Sequence, residues 1–282
     1  MMPPDGHVHS EWSWDAVEGS MERTCARAVE IGLPCVAFTE HADFTRWTLS
    51  GAPPPGVRAQ VTGDGMFVPP AFDVDGYLEC LQRCRDRFPE LRILSGVELG
   101  EPHWHVSESA QLLDTGVFDR VLGSVHSIRL DDARVLEVGD AYRVGEADPA
   151  RRAADVLRAY LAEAARMVRA SDTFAVLAHI DYALRSWPAE AGRCDPARFE
   201  EEFREVLRAL ADPSRALEVN TKGPLRPEIV RWWYDVGGDA VSFGSDAHDP
   251  AALARGFPAA AAMVQACGFR PGRHPCDLWV RA

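Results

Sequence analysis

Asp5-Gly6-His7-Val8-His9-Ser10-Glu11-Trp12-Ser13-Trp14-Asp15 sets two histidines two residues apart and follows them, six positions later, with a carboxylate. In an extended strand residues i and i+2 share a face, so His7 and His9 can aim two imidazoles at one point. Asp15, past a short turn, can return an oxygen to the same neighbourhood. That is the donor set of a metal site. A His-x-His pair also arises by chance, so its meaning depends on where the other histidines fall.

Working outward, Met21, Cys25, Ala28 and Val29 form one stripe of a helix over 20–31, stopped by Gly32-Leu33-Pro34. Cys35-Val36-Ala37-Phe38-Thr39 then reads as a strand that ends directly in Glu40-His41. Apolar runs over 92–97, 118–125, 174–178, 216–219 and 240–244 end in Glu98, His126, His179, Asn220 and the Asp246-Ala247-His248 stretch. Helices are expected over 75–88, 151–170, 196–210, 227–236 and 251–267, the last broken near Gly256 and Pro258. Counting the first, seven strand-like runs alternate with helices, and six of them end in a histidine or an acid. Such alternation favours parallel pairing in an α/β fold, and a parallel barrel opens every strand's C-terminal end on one face. The 282 residues suit one such domain, 1–282, with long loops at about 45–72 and 131–149. Loops of that length are often lids or binding loops.

Composition narrows the partners. Acidic residues outnumber basic ones 43 to 30, giving a formal charge of -13. That sign opposes a nucleic-acid backbone or an anionic membrane surface. Seven cysteines, an odd number without a secretory pattern, predict a reduced, cytoplasmic setting. Cys80 and Cys84, four apart on a helix, read as small core residues. No run approaches the roughly 18 apolar residues that span a bilayer, and the sequence leaves the oligomeric state open.

Six of the nine histidines fall in the strand-end set His7, His9, Asp15, Glu40, His41, Glu98, His126, His179, Asp246 and His248. A catalytic zinc takes about three protein ligands, so a set of this size implies two or three metals, with Glu98 able to bridge a pair.

The same residues, His7-x-His9, Asp15, Glu40-His41, Glu98, His126, His179 and Asp246-x-His248, resemble the motif series of the polymerase and histidinol phosphatase (PHP) superfamily, in order from Asp5 to His248. The resemblance implies a distorted seven-stranded (β/α) TIM-like barrel with a trinuclear centre of divalent metal ions such as zinc, manganese or iron. It would put one ion on His7, His9, Glu98 and Asp246, a second on Glu98, His126 and His179, and a third on Asp15, His41 and His248. Many members carry His where this chain has Asp15. Glu40, unassigned as a ligand, would orient a neighbouring histidine from behind. Asp5-Gly6-His7, Phe38-Thr39-Glu40-His41, Gly123-Ser124-Val125-His126, His179-Ile180-Asp181 and Glu218-Val219-Asn220-Thr221 look most like the stand-alone histidinol-phosphate phosphatases.

The implied reaction is hydrolysis of L-histidinol phosphate to L-histidinol and phosphate, in histidine biosynthesis. A metal-bridging hydroxide is the expected nucleophile, without a covalent phosphoenzyme. Asp246, His248 or a water on the third metal would supply the leaving alcohol's proton, and the sequence does not choose among them. Arg185 leads the candidates for the phosphate, because a guanidinium can hold two of its oxygens. Lys222 and Arg226 follow. Glu101, His103, Trp104 and His105 are candidates for the substrate's ammonium and imidazole. Rival readings are a PHP nuclease or nucleotide phosphodiesterase, an amidohydrolase-type hydrolase, and a non-catalytic metal-binding module.

Overall fold

In a computed structural model the described residues are 2–49, 60–129, 134–145, 147–223 and 226–282. One curled, mostly parallel sheet carries the site. Its first seven strands, Asp5–Val8, Cys35–Ala42, Arg92–Gly100, Arg120–Ser124, Val176–Leu177, Ala216–Asn220 and Ala240–Gly244, run parallel and lie side by side in chain order. Curling brings the first strand back to the seventh. Val8 bridges Ala247, His9 N–H donates to the Ala247 carbonyl at 2.9 Å, and Asp246 N–H donates to the His7 carbonyl at 2.8 Å.

Phe269–Arg270 and Trp279–Arg281 add an antiparallel pair beyond the seventh strand. These two, interrupted by glycine, proline and charge, give no strand signal in the sequence, so the sheet has nine strands where seven were expected. The two long loops are also more structured than expected. Trp47–Thr48 pairs with Met66–Phe67, and Ser127–Arg129 pairs with Val135–Glu137 ahead of a turn of helix at Val138–Ala141. Residues 50–59, with the proline-rich run, and 130–133 and 146 lie outside the described residues.

Helices cover the sheet where their apolar stripes predict. Met21–Glu30 buries Met21, Thr24, Cys25 and Ala28, and Ser20 caps its start by accepting from the Arg23 N–H. Glu200–Ala211 buries Phe203, Val206, Leu207 and Leu210 and packs against Pro149–Ala170. The last helix is broken as expected, into a short turn at Pro250–Ala252 and Phe257–Ala266, with Gly256 left-handed at φ 76° between them. Val106–Leu113 was not anticipated, because it buries only Ser109 and so shows no apolar stripe. Cys80 and Cys84 are core residues against the first helix, and all seven cysteines are free.

Leu207 is fully buried on the Glu200–Ala211 helix and does not line the cavity at the strand ends, so Leu207→Ala should cost about 2–5 kcal/mol through lost burial and a cavity. Urea denaturation should show that loss, with metal content per folded protein unchanged.

Candidate metal centre

Every first candidate sits at or just past the C-terminal end of a parallel strand, and register puts neighbours together: His41 pairs directly with Glu98 across the second and third strands. Glu98 is buried and lies at the middle. Its Oε2 is 3.2 Å from His7 Nε2, 3.4 Å from His9 Nε2 and 3.3 Å from His41 Nδ1. Its Oε1 is 2.7 Å from His179 Nε2 and 3.2 Å from His126 Nε2. One carboxylate thus faces two sets of imidazoles with different oxygens.

Asp246 and Asp15 complete the ring of acids. Asp246 Oδ1 lies 3.5 Å from His9 Nε2 and 3.5 Å from His248 Nδ1, and Asp15 reaches His248 Nε2 at 2.9 Å and His41 Nε2 at 3.4 Å. Asp246 has φ 51°, unusual for a residue with a side chain. That strain turns its carboxylate inward while its N–H still pairs with the first strand.

A second ring of groups aims the imidazoles. Glu218 Oε1 accepts from His7 Nδ1 at 2.7 Å, and its Oε2 accepts from the His179 backbone N–H. Ser13 donates to Glu40 at 2.6 Å, leaving its oxygen to accept from His9 Nδ1 at 2.9 Å and from the His41 N–H at 3.0 Å. Glu40 therefore orients His9 through a serine. Asp43 stands behind His126 Nδ1 at 3.1 Å and is itself held by the Trp14 indole N–H. Such partners fix the tautomer and direction of a ligating imidazole.

The donors fit cations. His7 and His9 both use Nδ1 outward, so in their neutral forms both Nε2 lone pairs converge, 3.0 Å apart, where two acceptors repel unless a cation lies between them. Among the described residues His41 Nδ1 and Asp15 Oδ1 are buried without a hydrogen-bond partner, as an ion's ligands would be. Four groups of three donors, His7/His9/Asp246, His7/Glu98/His179, His41/Glu98/His126 and His9/His41/His248, each lie within 4.8 Å of one another.

Charge is distributed to match. Burial raises the cost of the Glu98 anion, but His7 and His126 beside it hold its carboxyl well below the usual range. Burial likewise opposes the Asp246 anion, and His7, His9, Lys222 and Arg185 hold it low. Burial, with His41 and His248 nearby, pulls His9 down to about 4. For His41, Asp15 and Asp43 outweigh burial and lift it to about 9.

Two cations border the cluster. Arg185 Nη1 donates to Asp246 Oδ2 at 2.7 Å, and Lys222 Nζ donates to Asp246 Oδ1 at 3.1 Å. The Arg185 Nε and Nη2 are buried with no hydrogen-bond partner among the described residues. Both residues line the central cavity, as do Trp14, Trp47, Glu137 and Tyr182.

Arg226, the other phosphate candidate, does not line that cavity. Nor do the four candidates for the substrate's ammonium and imidazole. His103 Nε2 and the Trp104 indole both bond Glu163 on the Pro149–Ala170 helix, and His105 bonds Thr45. Glu101 accepts from the His126 and Ser127 N–H groups, a brace behind His126. Sequence reading passed over Ser13, Asp43 and Glu137. Asp43 carried a signal, since it sits two residues past His41, immediately beyond the strand Cys35–Ala42.

The family model described as PHP domain matches residues 5–222. A Lactococcus lactis relative named histidinol-phosphatase is 27% identical over 86% of this chain and 83% of its own. A Clostridium acetobutylicum relative, named probable histidinol-phosphatase, is 26% identical over 95% of this chain and 94% of its own. The solved structure of histidinol phosphate phosphatase from Lactococcus lactis, complexed with zinc, L-histidinol and phosphate, superposes with a TM-score of 0.77 at 23% identity, covering 95% of both chains.

Glu218 touches no ion-facing nitrogen, yet it sets His7. Glu218→Ala should therefore weaken metal binding about 10–100-fold in a chelator competition, and Glu218→Gln, which can still accept from His7, should lose less.

Proposed function

The chain belongs to the PHP domain family, and from that premise we propose that it is a metal-dependent phosphomonoesterase that hydrolyses L-histidinol phosphate to L-histidinol and phosphate in histidine biosynthesis. The observation that carries the reading is that Arg185, whose Nε and Nη2 have no hydrogen-bond partner among the described residues, lines the same cavity as the histidine and carboxylate cluster. A guanidinium can bind two oxygens of a phosphoryl group at once. The relatives' names and the zinc, L-histidinol and phosphate in the similar solved structure point the same way.

The curled sheet, with its first strand bridged to its seventh, supports a distorted seven-stranded barrel formed by one domain. Two to three divalent ions, of zinc, manganese or iron, fit the donors. His7, His9, Glu98 and Asp246 would hold one, Glu98, His126 and His179 a second, and Asp15, His41 and His248 a third. When bound, such ions supply an ionised water near neutrality and offset phosphoryl charge.

This chain's own side chains do the rest. Arg185 orients the phosphate, and Lys222, reaching the same Asp246, adds positive charge at the rim. Asp246 accepts from both cations and stays an anion, so it is a poor source of the leaving oxygen's proton. Free cysteines and the lack, among the described residues, of a helix long and apolar enough to cross a membrane fit a cytoplasmic enzyme.

Metal-loaded protein should release phosphate from L-histidinol phosphate, and Arg185→Ala should raise KM at least about 10-fold with metal content intact. Efficient cleavage of a phosphodiester with no phosphate released from the monoester would show the substrate class to be wrong. Elemental analysis should find that Asp15→Ala loses one ion and keeps those on His7 and Glu98, whereas Asp15→His keeps all.

A further inference from the structure

We propose that Glu137 is the specificity-determining residue that recognises the cationic, nitrogen-bearing end of the substrate's alcohol, a proposal that rests on the phosphomonoesterase reading above. The cavity has two chemically different walls. At one, Arg185 and Lys222 meet Asp246 and offer positive charge to a phosphate. At the other, Glu137 lies among Tyr182, Trp14 and Trp47.

Tyr182 fixes the distance between the walls. Its ring lies 5.0 Å from the His179 ring and 5.4 Å from the His126 ring, and its hydroxyl donates to Glu137 Oε1 at 3.0 Å. The carboxylate therefore stands one phenol beyond the ion-facing histidines, where the far end of a small phosphorylated alcohol would reach. The Trp14 ring is 5.7 Å from His41 and 6.1 Å from the Trp47 ring, and the Trp47–Thr48 strand packs beside Val135–Glu137. Flat aromatic faces next to an acid suit a cation or a protonated heterocycle.

The carboxylates lining the cavity differ in what they face. Asp15, Glu98 and Asp246 all face histidines, and Asp246 holds both rim cations as well. Glu137 bonds neutral donors instead, the Tyr182 phenol and the Asp140 backbone N–H. It is half-buried, and burial pushes its carboxyl up. An ammonium or imidazolium brought by the substrate supplies the missing counter-charge, so the same ligand that needs Arg185 at one end needs Glu137 at the other.

Glu137 also caps the Val138–Ala141 turn. Glu137→Gln keeps an oxygen for that bond and removes the charge. For this variant kcat/KM toward L-histidinol phosphate should fall about 10-fold or more, mainly through KM. Its kcat/KM toward p-nitrophenyl phosphate, which lacks a cationic group, should stay within about 2-fold of wild type. Inhibition of p-nitrophenyl phosphate hydrolysis by L-histidinol should weaken in parallel, and Glu137→Asp, which keeps the charge, should retain more of the preference.

Equal losses on both substrates would make Glu137 a structural cap only, and an unchanged preference would equally overturn the assignment. If wild type hydrolyses p-nitrophenyl phosphate but neither hydrolyses L-histidinol phosphate nor is inhibited by L-histidinol, the substrate reading fails and takes this assignment with it. A wild-type preference that survives Glu137→Gln removes this assignment alone.

Discussion

The two oxygens of Glu98 face two sets of histidines, and most of the surrounding structure serves to keep that carboxylate ionised and in place. A buried anion without compensation costs several kcal/mol, and here burial is opposed by His7, His126 and His179 around one side chain. Strand register supplies the proximity, since His41 and Glu98 are direct neighbours across a parallel pair. The close packing has a steric requirement of its own. At Gly244 a Cβ would run into Glu218 Oε1 and the His7 Cβ, and at Gly100 it would run into Asp43 Oδ1. Bare backbone at those two strand ends lets the carboxylates that aim His7 and His126 lie flat against the sheet.

The imidazoles are held from behind by three different devices with one effect. Glu218 fixes His7 directly, Glu40 fixes His9 through Ser13, and Asp43 fixes His126. Each takes an outer Nδ1–H, and the inner Nε2 is then turned toward Glu98. Ser13 closes its own account within this network. It donates once to Glu40 and accepts twice, from His9 and the His41 backbone, so no polar atom of the serine is left over.

That difference between donors and supports explains what could be read from the chain. His41, Glu98, His126 and His179 stand at the ends of short apolar runs, His7, His9, Asp246 and His248 fall in His-x-His and Asp-x-His spacings, and period-2 and period-3.6 patterning located those runs and the helices between them. Ser13 and Glu218 carry no such mark, because a serine in a turn and a glutamate within a strand are common for many reasons. Their role exists only once the sheet curls and brings residues 218 and 7 together. The error over His103 has the same origin. Its neighbours in sequence lie close to the strand end, but Glu163, far along the chain, draws the imidazole and the Trp104 indole toward the outer helix. The paired C-terminal strands and the small hairpins escaped notice because two or three residues are too short to show a period.

On the proposed function, a protein with a formal charge of -13 must solve an electrostatic problem locally to receive a phosphate. Arg185 and Lys222 cannot solve it alone, since both already neutralise Asp246, and Asp15 and Glu98 add further negative charge to the same cavity. At effective dielectric constants near 20, two like charges 4 Å apart repel by about 4 kcal/mol. With its histidines neutral, as ligands to an ion must be, the cavity lining carries more carboxylates than cations and would repel a phosphoryl group. Divalent cations among the histidines would reverse that sign where a phosphate would sit. On this argument the acid-rich cluster and the Arg185 guanidinium form one device, in which the carboxylates would concentrate the ions and the ions would make the cavity hospitable to an anion.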